Sequence, residues 1–258
     1  MWRFVGESVQ GDSHRRDGLV CQDSHLAVPI RLDGSEYLIL ACSDGAGSER
    51  QSQIGSKVAA EQAIRLAGGY LRSGNPLPLA TPELIRSWVT GVREELGREA
   101  AQRSLAPREL ACTLALGVLG PASSAFLQIG DGAIVILQAG LYRPVFWPQN
   151  GEYQNETYFV TDHDAEEKAV IEVVPRAVDE AALITDGLQM LALNYVERTA
   201  HQPFFAPMFK ALRDAGSEAE LVDPLHNFLE SAAVNARTDD DKTLILAARV
   251  SPCGNDAL

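Results

Sequence analysis

The alternation of apolar and polar residues changes period several times along the chain. "WRFVGESV" (2–9) and "HLAVPI" (25–30) read as strands, with "GDSHRRDG" (11–18) as a loop between them. "EYLILAC" (36–42) is almost continuously apolar and predicts a strand buried on both faces. The period then lengthens. In "QIGSKVAAEQAIRLAGGYL" (53–71), Val58, Ala59, Ala63, Ile64, Ala67 and Leu71 fall near helical spacing. "RSGNPLPLATP" breaks that helix. Thr81 reads as the cap of the next one, Pro82 and Glu83 suit its first turn, and it runs on through "ELIRSWVTGVREELGREAAQRS" (83–104).

The middle of the chain returns to short strands: "CTLALGVLG", "SAFLQIG", "AIVILQAG", "YRPVFW" and "ETYFVT", so closely spaced that they predict an antiparallel meander. "AVIEVVP" and "AALITDGL" continue the strands, helices are expected over 197–215 and 218–236, and "KTLILAARV" closes as a last strand. This order predicts an α+β fold with helices on the outer faces of packed sheets. Without a linker or internal repeat, the expectation is one domain over 1–252 and a disordered tail over 253–258.

Composition narrows the function. The 258 residues are 46% hydrophobic and 22% charged, with a formal net charge of −13. That balance argues against nucleic acid as a partner, which would need a broad basic surface, and against anionic membranes. Four cysteines show no CxxC spacing; Cys42 and Cys112 sit in apolar runs and read as small buried thiols. Reduced thiols, an N-terminus without a signal-peptide pattern and no apolar run near the ~20 residues of a membrane helix lead to the expectation of a cytoplasmic protein.

The candidate chemistry lies in acids at strand ends. Asp44 follows "YLILACS", Asp131 follows "SAFLQIG" and Asp186 follows "AALIT", each with a glycine next. Asp239, Asp240 and Asp241 precede the final strand, and Asp23 stands before another. A turn accounts for any one of these. Their recurrence suggests convergence, and converging carboxylates must take up protons or bind cations. Oxygen-only ligation suits magnesium or manganese, and two such ions suit in-line attack on phosphorus.

In these motifs the chain resembles the metal-dependent PP2C-type serine/threonine phosphatases, in particular their shorter bacterial branch. The resemblance rests on "CQDS" (21–24), "SDGAGS" (43–48), "IGDGAI" (129–134), "NGEYQNETYFVT" (150–161), "ITDGL" (184–188) and "DDKT" (240–243), in that order. It implies a four-layer α-β-β-α sandwich, two mainly antiparallel sheets flanked by helices. It also implies hydrolysis of phosphoserine or phosphothreonine in a phosphorylated protein substrate, by a hydroxide bridging two Mn²⁺ or Mg²⁺ ions, with a third ion in some bacterial members. Bacterial relatives often oppose a serine/threonine kinase.

By the same resemblance Asp44 bridges the two ions, the Gly45 carbonyl binds the second, and Asp186 and Asp240 bind the first. Asp23 reaches the second ion mostly through water, and Asp131 belongs to the third site or, alternatively, to a hairpin turn. Asp44, Asp186 and Asp240 are thus the expected catalytic set. Thr243 selects Asp240 from its run of three.

The chain also departs from the pattern. Ala46 stands where many members have a histidine, Gly18 where many have a phosphate-binding arginine, and Gln22 where an acid is usual. His14, Arg15 or Arg16 could reach the phosphate instead; His14 and Arg16 are the candidates carried forward. The short segment before "ITDGL" implies a reduced flap. Two other readings stay open: a binding or regulatory module of the same fold with weak chemistry, and a phosphatase for small phosphate esters.

Overall fold

A computed structural model describes residues 1–75, 77, 80–149 and 157–250. Ten strands form two five-stranded antiparallel sheets among these residues. The first sheet orders β1 (Trp2–Val9), β12 (Lys242–Arg249), β9 (Glu180–Ile184), β6 (Ala133–Gln138) and β7 (Leu141–Pro144). The second orders β2 (Ser24–Leu32), β3 (Ser35–Ser43), β4 (Leu114–Leu119), β5 (Ser124–Ile129) and β8 (Val170–Val174). A small ribbon pairs β10 (Leu193–Asn194) with β11 (Thr199–Ala200).

Side-chain alternation builds the four layers. Along β3, Leu38, Leu40 and Cys42 point at the other sheet and meet Ile134, Leu183 and Ile245, while Ile39 and Ala41 point outward. Those outward residues lie under α2 (Ser52–Arg72) and α3 (Pro82–Arg103), packed with Ala59, Ala63, Trp88 and Val92. Along β12, Ile245 and Ala247 face the inter-sheet core. Leu244, Leu246 and Ala248 face the second helical layer: α6 (Gln202–Asp214), α7 (Ala219–Leu229) and α8 (Ala232–Asn235). The expected α-β-β-α order and the two-sided burial of "EYLILAC" are therefore observed.

Several local expectations are corrected. "GDSHRRDG" is not a loop: Asp12–Asp17 form α1, which ends at Gly18 with φ 69°. This single turn is too short to persist alone and is tied by Ser13, whose N–H and hydroxyl both donate to the Asp239 carbonyl. The meander is divided between sheets. β4–β5 and β6–β7 are hairpins, but the turn after β5 carries the chain across to the first sheet. Gly130 makes that crossing at φ 98°, where a Cβ would lie 2.5 Å from Thr113. The "ETYFVT" strand is absent from its described part, 157–161.

The 197–215 helix begins only at Gln202, because the residues before it turn the β10–β11 ribbon with Arg198 at φ 53°. The 218–236 helix divides at Ser231, whose side chain caps α8. The expected tail, 253–258, lies outside the described residues. Two one-turn helices, α4 (Ala165–Lys168) and α5 (Gln189–Ala192), complete the elements used below.

Candidate metal centre

The five aspartates stand at the ends of elements from both sheets. Asp23 precedes β2, Asp44 follows β3, Asp131 lies in the β5–β6 crossing, Asp186 follows β9 and Asp240 precedes β12. Carboxylate oxygens of Asp44, Asp131 and Asp186 all lie within 4.8 Å of one another. Asp23 and Asp44 are in hydrogen-bonding contact, and Asp240 is close enough to raise both Asp44 and Asp186 electrostatically. The crossing after β5 is thus what delivers Asp131 to the cluster, rather than a hairpin within one sheet.

The sequence motifs also hold the acids in place. Thr185 and Thr243 hydroxyls each donate to Asp23 Oδ2 at 2.7 Å. The Asp44 N–H donates to Thr113 Oγ1 at 3.0 Å, and the Thr113 N–H returns a bond to the Asp44 carbonyl at 2.8 Å. Gly45 is required by close approach: a Cβ there would lie 2.8 Å from the Ser52 carbonyl and 2.9 Å from that of Gln22. The neighbouring bridge uses the Asp44 carbonyl and the Ala46 N–H, so the Gly45 carbonyl stays out of it.

The run of three aspartates separates by environment. Asp239 is exposed and ion-paired with Arg16. Asp241 is 1% exposed, and its carboxylate accepts from the Gly11 N–H, the Gln22 N–H and His14 Nδ1. Asp240 raises Asp44 and Asp186, while Asp241 adds to the rise of Asp23.

Electrostatics set the chemistry of the site. Burial and the neighbouring carboxylates push Asp44 and Asp186 well above the usual carboxylate range, and burial raises Asp131 and Asp240. Asp23 is pushed up to about 7, mainly by burial, against the opposing bonds from Thr243, Asp44 and Thr185. Among the described residues no lysine or arginine forms an ion pair with any of the five. Two buried carboxylate oxygens, Asp23 Oδ1 and Asp131 Oδ1, have no hydrogen-bond partner, nor does Gln22 Oε1. Unpartnered, uncompensated oxygens converging from several strands fit hard divalent cations, which would supply the missing positive charge. The donors are all oxygen; His163 is a surface side chain.

The two phosphate candidates part company. His14 is 7% exposed; its Nδ1 is 2.8 Å from Asp241 Oδ2, and its Nε2 is turned towards Gly47 in the "SDGAGS" loop, 3.8 Å from where a Cβ on Gly47 would sit. Arg16 points into solvent, paired with Asp239.

Sequence reading missed Asp241 as the support of His14. It also missed Gln189, whose Nε2 donates to the Asp131 carbonyl, and Tyr195, whose hydroxyl donates to Gln189 Oε1. No motif marks Gln189 or Tyr195, and "DDKT" contains Asp241 without showing that it meets His14.

Known proteins share the sequence pattern and the fold. The sequence model described as "Protein phosphatase 2C" matches residues 10–229. The chain is 38% identical over 250 residues to serine/threonine-protein phosphatase 3 of Escherichia coli (strain K12), covering 95% of this chain and 98% of that one. Its fold is similar to that of serine/threonine phosphatase Stp1 from Staphylococcus aureus (TM-score 0.63, 16% identity, 96% and 95% covered). It is also similar to the catalytic domain of the phosphatase PstP in complex with two manganese ions (TM-score 0.57, 16% identity, 97% and 99% covered).

Proposed function

The chain belongs to the protein phosphatase 2C family, and from that premise we propose that it hydrolyses phosphoserine and phosphothreonine in proteins at a centre of two Mn²⁺ or Mg²⁺ ions. The observation that carries this reading is the meeting of Asp44, Asp131 and Asp186 within 4.8 Å, with no lysine or arginine among the described residues ion-paired to them. Bound there, the ions supply an activated water as nucleophile and positive charge for the phosphoryl oxygens.

The chain's own groups divide the remaining work. Asp44, Asp186 and Asp240 hold the ions, with the Gly45 carbonyl as a further donor. Asp23, fixed by Thr185 and Thr243, orients the solvent side of the centre. Asp131 offers its unpartnered oxygen to a third ion. Ala46 removes the imidazole that many relatives carry, and His14, oriented by Asp241 and turned to the same loop, is the donor available to the substrate phosphate. Arg16 is a weaker candidate, because reaching the phosphate requires leaving Asp239.

The short connection through α4 and β8 also suits small phosphate esters, the second reading. A regulatory module of weak activity is disfavoured, since Asp44, Asp186 and Asp240 are all present and lie together. A cytoplasmic site of action and an opposing serine/threonine kinase complete the proposal. Among the described residues no helix is long and apolar enough to cross a membrane.

The decisive experiment is manganese-dependent hydrolysis of an aryl phosphate, repeated on phosphopeptides and small esters. Chelator should abolish it, and phosphopeptides should be preferred; full activity in chelator would overturn the reading. His14→Ala should raise KM more than it lowers kcat while leaving manganese affinity, read calorimetrically, unchanged.

A further inference from the structure

A cavity of about 960 Å³ lies between α6 and α7; none of the five aspartates lines it, and Tyr195 on its wall is close enough to Asp131 and Asp186 to feel their charge. That volume is within the roughly 300–1,000 Å³ typical of small-molecule sites. Its floor is Val5 of β1 and Leu246 of β12, so it passes through the whole helical layer to the sheet beneath. The helices that flank it are both interrupted. Pro207 lies inside α6 and Pro224 inside α7, and both line the cavity. Each proline removes an internal helical hydrogen bond and crowds the preceding turn, so neither helix can run straight past the other and close the gap.

Two properties define what fits. The cavity is a slot rather than a helix-sized groove. Phe204 of α6 and Phe228 of α7 meet edge to face at 6.0 Å between ring centroids, so the two helices touch through these rings and leave no room for a helix between them at that point. A third helix cannot reach the floor, whereas an alkyl chain can. Its charge is the reverse of the chain's. In a protein of net charge −13 the lining includes Arg237 and His201 and no carboxylate. Both are exposed, and neither makes a side-chain hydrogen bond or ion pair among the described residues.

We propose that this slot binds a single-chain anionic amphiphile, its alkyl chain between α6 and α7 and its headgroup at Arg237 and His201. Met190, Leu191 and Tyr195, in the segment that follows Asp186, also line the slot, so its occupant touches the stretch that carries Gln189 to the Asp131 carbonyl.

The test titrates metal-free protein calorimetrically with decanoate below its micellar concentration, and with decanol as the neutral counterpart. Saturable binding of one decanoate per chain is expected, with slower amide exchange at 190–195 and 204–212. Arg237→Ala, an exposed change that leaves the core intact, should weaken decanoate about tenfold and decanol little. Ala211→Trp, which fills the slot, should abolish both, with folding checked by circular dichroism. Absence of saturable binding, equal affinity for decanol, or binding unaffected by both variants would overturn the proposal. So would concentration-dependent dimerisation reversed by Ala211→Trp, which would make a second copy the occupant.

Discussion

The two helical layers cover equivalent five-stranded sheets in contrasting ways. On one side α2 and α3 run 21 and 22 residues without an interior proline. They close through small residues, with Ala59, Ala60, Ala63 and Ala67 fully buried against the sheet and α3. On the other side α6 and α7 run 13 and 11 residues, each carries a proline, and a cavity of about 960 Å³ remains between them. The sheet under the looser layer still delivers Asp131, Asp186 and Asp240 at the ends of β6, β9 and β12, so strand ends can be held in register beneath a helical layer that is not densely closed. The first layer braces β3 and the loop that carries Asp44. The second leaves space that a ligand can use.

The largest expected effect falls on the acid cluster. Asp44→Asn or Asp186→Asn should each lower kcat by about a thousandfold or more. The metal-free fold should survive and even gain stability at neutral pH, because a raised buried carboxyl is removed. Retained activity in either variant would break the assignment.

Next comes the dense layer at its tightest point. A Cβ on Gly55 of α2 would lie 2.1 Å from the Leu110 carbonyl, so Gly55→Val should cost about 3 kcal/mol or more in chemical denaturation.

The pH dependence of the metal-free protein is the third. Asp23 is lifted from 3.8 to about 7, so the folded state binds more protons than the unfolded one over that interval. The stability this confers is full below about pH 4 and lost as pH rises through about 7. Melting temperature should therefore fall across that window. Manganese at a hundredfold over its Kd should restore about 2.7 kcal/mol, or about 5–10 °C for a chain of this size. A metal-free melting curve that rises with pH would contradict the electrostatic reading of the site.

The smallest effects compare the layers directly. Ala63→Leu in the dense layer should cost about 1–3 kcal/mol. Ala211→Leu at the slot should stay within about 0.5 kcal/mol. Equal costs would show that the second layer is as tightly closed as the first.

Much of this molecule is legible in its sequence. Strand β1 and helix α3 follow from local patterning, because period and caps are short-range properties; Thr81 does accept from the Leu84 N–H as its position predicts. The acids that converge were legible too, since each stands beside a strand that can be read on its own: Asp44, Asp131 and Asp186 after one, Asp23 and Asp240 before one. Errors arose where tertiary contact overrode local preference. α1 exists because the 239–241 segment ties it down, and the β5–β6 turn looks like a hairpin unless the other sheet is known.

By itself, then, the sequence determined the strands, the long helices and the carboxylates poised at their ends. These depend on side-chain periodicity and on residues adjacent in the chain. The tertiary structure decided that strand ends from both sheets converge, that Asp241 orients His14, and that two proline-bearing helices leave a slot between them. Each of those depends on residues up to 230 positions apart, whose meeting no local pattern encodes.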